Sequence, residues 1–211
     1  EFVWQDDFAA ARNEAFSRAE MDYCMWLDAD DVVTKENREK LAALKEGLDG
    51  DTDMVMMKYA VSEDADGRVL FSYYRERLIR NGRGFLWEGR VHEAIVPSGK
   101  ILYSDIVITH RKMEAGDGER NLRIYERMLQ EGEALSGRSL FYYGRELMAH
   151  RRYPDAVRVL EEFLDGDGWA ENKIEACLNL ADCFFASGQQ NEGARALLRS
   201  FLYGNPRGEA C

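Results

Sequence analysis

The sequence predicts an α/β half with a mixed sheet over residues 1–112, followed by an all-α helical repeat over residues 118–211. Two observations predict it. Up to about residue 112 the apolar residues come in short runs that read as strands alternating with helices, whereas from Gly118 onward their spacing is helical throughout. Two late segments, SLFYYGRELMAHRRYPDAVRVLEEFL and KIEACLNLADCFFASGQQNEGARALLRSFL, also repeat one pattern of helix, polar break and helix. With 211 residues, 45% hydrophobic and 32% charged, and only three prolines, the composition is that of a folding globular chain.

In the first half, Phe8 to Ala19 carries Phe8, Ala11, Ala15, Phe16 and Ala19 on one helical stripe, with Asp6 and Asp7 placed as caps. Tyr23 to Leu27 (YCMWL) is short and continuously apolar, as a buried strand is, and stops at Asp28. Thr34 starts a second helix, TKENREKLAALKEGL, that Gly47 and Gly50 weaken. Asp53 to Val61 is a strand, EDADG a hairpin turn, and Val69 to Tyr74 the return arm. Glycines at 82, 84 and 89 divide ERLIRNGRGFLWEGRVHEAIV into short strands joined by turns, and Ile101 to His110 is one more strand.

In the second half, Leu122, Tyr125, Met128 and Leu129 form a stripe, and the two repeated segments follow. Matching Ala156 to Gly193 gives an offset of 37 residues. That is close to the about 34-residue tetratricopeptide unit once the DGDGW insertion is allowed for. The second segment resembles that pattern, with Leu178, Leu180, Ala181, Phe184, Phe185 and Gly188 at interlocking positions and Pro206 near the end. In the first, Tyr142, Tyr143, Tyr153, Ala156 and Leu160 play those parts.

Charge narrows the function classes. Lys and Arg total 28 against 39 Asp and Glu, a net charge of −11, and no basic patch stands out, so no nucleic-acid partner is expected. No apolar run reaches the roughly 18 residues of a spanning helix, and no signal-peptide order opens the chain, so no transmembrane segment and a cytoplasmic location are expected. Cys24, Cys177, Cys183 and Cys211 follow no CxxC spacing and are expected as free thiols. There is no P-loop sequence and no recognisable nucleophile elbow.

The sharpest chemical feature is LDADD, residues 27–31. Three carboxylates within four positions repel one another unless a cation, donors or bulk water compensates. A Mg²⁺ or Mn²⁺ ion that also ligates a diphosphate would do so, and a solvated acidic turn is the competing reading. A calcium loop does not fit: Asp28, Asp30, Glu36 and Glu39 fall at suitable positions, but Val33 stands where glycine is needed and Val32 where an oxygen is.

The stretch WQDDFAAARNEAFSRAEMDYCMWLDADD resembles the inverting glycosyltransferases of family 2, whose GT-A fold carries an ARN helix, an aromatic-rich strand and an Asp-x-Asp motif. ERLIRNGRGFLWEGRVHEAIV is similar to the region of bacterial members written R-L-F-R then W-x-G-x-V-H-E, and a tetratricopeptide appendage is familiar in that group. The resemblance implies a partial GT-A domain that transfers a sugar from a nucleoside-diphosphate-sugar donor to an acceptor, whether saccharide, lipid-linked or protein, with Mn²⁺ or Mg²⁺.

Laid on residues, it implies that Asp28 faces the nucleotide ribose and that Asp30 holds the metal, accompanied by Asp31. His110, at the end of its strand, resembles a third metal ligand, and imidazole suits Mn²⁺ better than Mg²⁺. Arg12, Asn13, Asp28, Trp87 and His92 make up the implied donor-binding set, with Trp87, His92 and Glu93 lying toward the acceptor. Glu93 is the implied catalytic base and Glu88 the next candidate. Because family members carry nucleotide-binding strands ahead of the region that Phe2 to Trp4 resembles, the chain as given is expected to enter the fold midway and to be inactive on its own. The repeats are expected to pair two copies or to take a peptide. The alternative is a non-catalytic interaction module in which the α/β half is only a scaffold.

Overall fold

A computed structural model describes residues 2–64, 66–111, 118–205 and 208. It divides into two compact units, Glu1–Asp117 and Gly118–Cys211. Pro206 and Cys211 lie outside the described residues.

The first unit opens with α1 (Phe8–Ser17), capped by Asp7, whose carboxylate accepts the Ala10 N–H at 2.8 Å. It ends two residues before the expected Ala19, because the N–H groups of Arg18 and Ala19 turn to carbonyls only three residues back and tighten the last turn. A five-stranded mixed sheet follows in the order β1-β4-β3-β7-β2, built from β1 (Tyr23–Met25), β2 (Asp31–Val32), β3 (Met54–Glu63), β4 (Val69–Arg80) and β7 (Ile101–His110). Its pairs are antiparallel except β3 with β7. A separate two-stranded ribbon joins β5 (Trp87–Glu88) to β6 (Ala94–Ile95). Between β2 and β3 runs α2 (Lys35–Gly47), with Thr34 as its cap.

Successive residues of β3 enter two different cores, as strand alternation requires. Met54 and Met56 pack with Ala9, Trp26, Ile79, Trp87 and Ile95. Val55, Met57 and Tyr59 pack with Ile106 and Ile108, with Leu41, Leu44 and Leu48 against them. Met54 and Met56 on one face and Met57 on the other are thus core packing on both faces of the sheet.

The structure corrects the expected hairpin. Its return arm does not stop at Tyr74 but runs as β4 to Arg80, taking in residues read as short strands and turns. Two charged residues in that stretch, Glu76 and Arg77, are buried, and burial with partners lets a strand carry charges that sequence pattern assigns to the surface. β4 also carries a bulge: Val55 pairs with Leu78 and Met56 with Glu76, which leaves Arg77 as the extra residue. A second irregularity falls in β7, where Met56 pairs with Tyr103 and Lys58 with Val107. The Val107 N–H freed there donates to the buried Asn37 side chain of α2 at 2.8 Å.

The second unit holds α3 (Arg120–Gln130), α4 (Gly137–Ala149), α5 (Tyr153–Asp165), α6 (Ala170–Ala186) and α7 (Gln190–Arg199), then a 3₁₀ turn (Ser200–Leu202). The breaks after Ala149 and Ala186 fall where the polar segments were expected. In α3 the buried stripe is Leu122, Ile124, Tyr125 and Met128, with Leu129 turned outward at 44% exposure. Phe141, Leu160, Phe163, Cys177, Leu180 and Ala181 centre the core. At the 37-residue offset Gly144 corresponds to Ala181, and both are points of close approach. A Cβ on Gly144 would meet Leu160 Cδ2 at 2.6 Å, and Ala181 is fully buried.

Candidate active site

The acidic cluster forms a tight turn. The Asp31 N–H donates to the Asp28 carbonyl at 3.0 Å, and the Asp28 N–H donates to Asp31 Oδ2 at 3.0 Å. Beyond the turn, β2 pairs with the end of β7 so that Asp31 stands directly opposite His110. Directly opposed residues of an antiparallel pair project from the same face, which brings a turn carboxylate and a distant imidazole together. Asp30, Asp31 and His110 each offer a ligand atom, all within 4.8 Å of one another. His110 Nδ1 lies 3.5 Å from Asp30 Oδ1 and 3.9 Å from Asp31 Oδ1.

Two of these atoms, Asp31 Oδ1 and His110 Nδ1, are buried and take no hydrogen bond. Buried polar atoms without partners are rare in native proteins and call for an explanation. An octahedral ion with bonds of about 2.1 Å separates adjacent ligand atoms by about 3 Å and opposite ones by about 4 Å, so the observed spacings suit a cation with little movement. Of the calcium-loop positions, Glu36 and Glu39 do not take part: they sit on α2 paired with Lys40 and Lys35.

Beside this seat lies a stack of rings and guanidinium groups. Arg12, from α1, donates through Nε to Glu93 Oε1 at 2.6 Å and through Nη2 to Asp28 Oδ1 at 2.7 Å. Its Cζ lies 4.5 Å from the Trp26 ring and 4.8 Å from the Trp87 ring. Burial opposes the Arg12 charge, but Glu93 and Asp28 outweigh it and hold the pKa above its ordinary value. Four carboxylates, Asp28, Asp30, Asp31 and Glu93, thus face two guanidiniums, Arg12 and Arg77.

The structure departs from expectation at Trp87 and Asn13. Trp87 is 2% exposed and packs edge-on against Trp26 and Phe16. The Asn13 amide closes a two-way bond with the Trp87 backbone, donating to its carbonyl at 3.0 Å and accepting its N–H at 2.8 Å. Trp87 thus stacks under Arg12 with almost no surface free for a ligand, while the half-buried Asn13 spends its amide on holding the Trp87 backbone. His92 is half-buried and lies in the left-handed region (φ 53°) of the turn between β5 and β6, while Glu88 points outward. Glu93 is nearly buried, at 11% side-chain exposure.

Sequence reasoning missed Trp26, Tyr59, Arg75, Glu76 and Arg77. Arg75 grips Glu76 through two hydrogen bonds and reaches the Glu93 carbonyl at 3.4 Å. Trp26 Nε1 donates to the Glu76 carbonyl. Burial, and then the charge of Asp31, push the Tyr59 hydroxyl well above the ordinary tyrosine range. The signal that points to this group is the density of charge in RERLIR within a strand, together with the tryptophan two residues ahead of Asp28.

Residues 2–102 match the family Glycosyl transferase family 2. The family 2 match thus takes in α1, the acidic turn and the ribbon bearing His92 and Glu93, and it ends before His110. The chain is also 27% identical over 173 residues to the SPbeta prophage-derived glycosyltransferase SunS of Bacillus subtilis (strain 168), covering 77% of this chain and 40% of that protein. Glycosyltransferase SunS of Bacillus phage SPbeta matches with the same figures. The chain therefore spans about 40% of the length of the curated relatives it matches. Among the described residues, no helix is long and apolar enough to cross a membrane.

Proposed function

We propose that this protein is part of an inverting glycosyltransferase that moves a sugar from a nucleoside-diphosphate-sugar to an acceptor. In this reading Asp30, Asp31 and His110 hold Mn²⁺ or Mg²⁺, with imidazole favouring Mn²⁺. When bound, such a cation supplies Lewis-acid stabilisation of the departing diphosphate. The observation that carries the proposal is the buried, unbonded pair Asp31 Oδ1 and His110 Nδ1, set beside Asp30 within a region that matches glycosyltransferase family 2 up to residue 102.

The other residues take roles from their contacts. Asp28, fixed by Arg12, faces the donor at the mouth of the turn. Arg12 is held by two indole rings and two carboxylates, so it orients Asp28 and Glu93 without needing to touch substrate. Glu93 is the base we assign: Arg12 donates to Oε1, and Oε2 would accept the acceptor's proton. Trp87 and Asn13 brace this arrangement, His92 shapes the turn that presents Glu93, and Glu88 is the weaker candidate for the base. The helical unit, with Trp169, Leu198 and Leu202 exposed, recruits the acceptor or pairs two copies in this scheme.

Calorimetric titration with MnCl₂ and then UDP tests the proposal. Saturable Mn²⁺ binding that is lost in Asp30→Ala and His110→Ala, and that strengthens UDP binding, is the expected result. A wild-type chain that is folded and binds no Mn²⁺ would reject it.

A further inference from the structure

Arg77 lies next to the cation seat, and no step above uses it. We propose that Arg77 is the positioning residue of that seat, fixing the Asp31 carboxylate so that Oδ1 stays aimed at His110. The inference rests on reading Asp30, Asp31 and His110 as cation ligands.

The bulge in β4 makes Arg77 the unpaired residue of the ladder, and bulges beside active sites characteristically re-aim one side chain. Its side chain is fully buried. The guanidinium lies between two rings, with Cζ 3.7 Å from the Trp26 centroid and 4.4 Å from the Tyr59 centroid, which fixes its plane. Nη1 donates to Asp31 Oδ2 at 2.8 Å and to the Trp26 carbonyl at 3.3 Å. The same Oδ2 takes the Asp28 N–H. The Arg77 and Asp28 donors both fall on Oδ2, so turning the carboxylate would break two hydrogen bonds, while Oδ1, buried near the Tyr59 hydroxyl, takes none at hydrogen-bond geometry and is the atom open to a cation.

Stability explains this arrangement poorly. A buried ion pair returns little net stability, because desolvation offsets the attraction and well-packed apolar residues do as well or better. Here the cost is larger, since Arg77 Nε and Nη2 are buried without hydrogen bonds. What the pair does supply is direction, the property that residues behind metal ligands commonly provide.

The test compares Arg77→Lys and Arg77→Met with the wild-type chain. Mn²⁺ binding is followed by calorimetry and by the Mn²⁺ electron paramagnetic resonance signal, with near-ultraviolet circular dichroism and the urea midpoint reporting the fold. Folded variants are expected to bind Mn²⁺ at least about 10-fold more weakly, within the range typical of residues that orient metal ligands, and to show an altered resonance line shape. One folded variant with that loss suffices if the other does not fold. Binding within twofold of wild type in a folded variant would overturn the assignment, and so would failure of both to fold, which would make Arg77 a fold element. Wild-type protein that binds no Mn²⁺ would instead remove the cation seat itself, so the two failures are distinguishable.

Discussion

The two units of this protein handle charge in opposite ways. The helical unit keeps its arginine pairs near the surface: Arg152 bridges Glu126 and Asp155, and Arg199 bridges Glu161, while the buried polar residues described there are the neutral Ser139, Asn179 and Ser200. The α/β unit buries Glu76 and Arg77, pairs Arg77 with a fully covered Asp31 side chain, and stacks three guanidiniums around Trp26. Buried ions are a poor way to gain stability, and their concentration around one turn is what the proposed function draws on.

The largest expected effects probe each core with its own chemistry. Glu76→Ala strands Arg75 with no carboxylate and should cost about 3–5 kcal/mol by urea unfolding followed by tryptophan fluorescence. Replacing both partners, Arg75→Met with Glu76→Leu, should recover most of that loss. In the helical unit Phe163→Ala should cost a similar 3–5 kcal/mol through the cavity it leaves, with no partner change able to restore it. Burial pushes the Cys177 and Cys183 thiols up to about 11, so their reaction with a disulfide reagent near pH 8 should be slow in the native chain and accelerate in this variant. If the double variant is no more stable than Glu76→Ala alone, the contrast between the two cores fails.

Smaller effects sharpen the comparison. Gly193→Ala puts a Cβ 2.3 Å from Phe185 Cε1 and should destabilise by about 1–3 kcal/mol, a purely steric effect insensitive to salt. The smallest concerns an exposed pair in the α/β unit, Asp49 with Lys100 at 2.7 Å. The Lys100 hydrogen bond holds the Asp49 carboxyl down at about 2, below its ordinary 3.8. A carboxyl depressed on folding stabilises above its unfolded pKa and loses that contribution as pH falls through the folded value. The difference in urea midpoint between wild type and Lys100→Met should therefore be present at pH 5, shrink between about pH 4 and pH 2, and diminish in high salt. A difference that does not change with pH would place the contribution of Lys100 elsewhere.

Much of the fold was legible because local chemistry decides it. Asp7 and Thr34 cap their helices as their types and positions indicate, and Ile101–His110 is the strand its apolar run predicts. The acidic turn stood out because like charges at that density need compensation. Arg77 did not, since in a linear reading it is one more charge in a charged segment, and only a one-residue bulge turns it inward. Trp87 was named through the family resemblance alone, and its burial by the Asn13 clamp and the Trp26 ring could not be read from the sequence.

By itself, then, the sequence determined the capped helices, the strand runs, the 37-residue repeat offset and the clustered carboxylates after Leu27. These follow from interactions between residues near in the chain, whose periodicity and capping are written into short windows. Only the tertiary structure decided that Asp31 faces His110, that Arg12 joins Asp28 to Glu93, and that Arg77 lies between Trp26 and Tyr59. The Asp31–His110 and Arg77–Tyr59 contacts depend on strand register, where a shift of one residue would send a side chain to the opposite face of the sheet, whereas Arg12 reaches Asp28 and Glu93 from a helix to two loops distant in the chain.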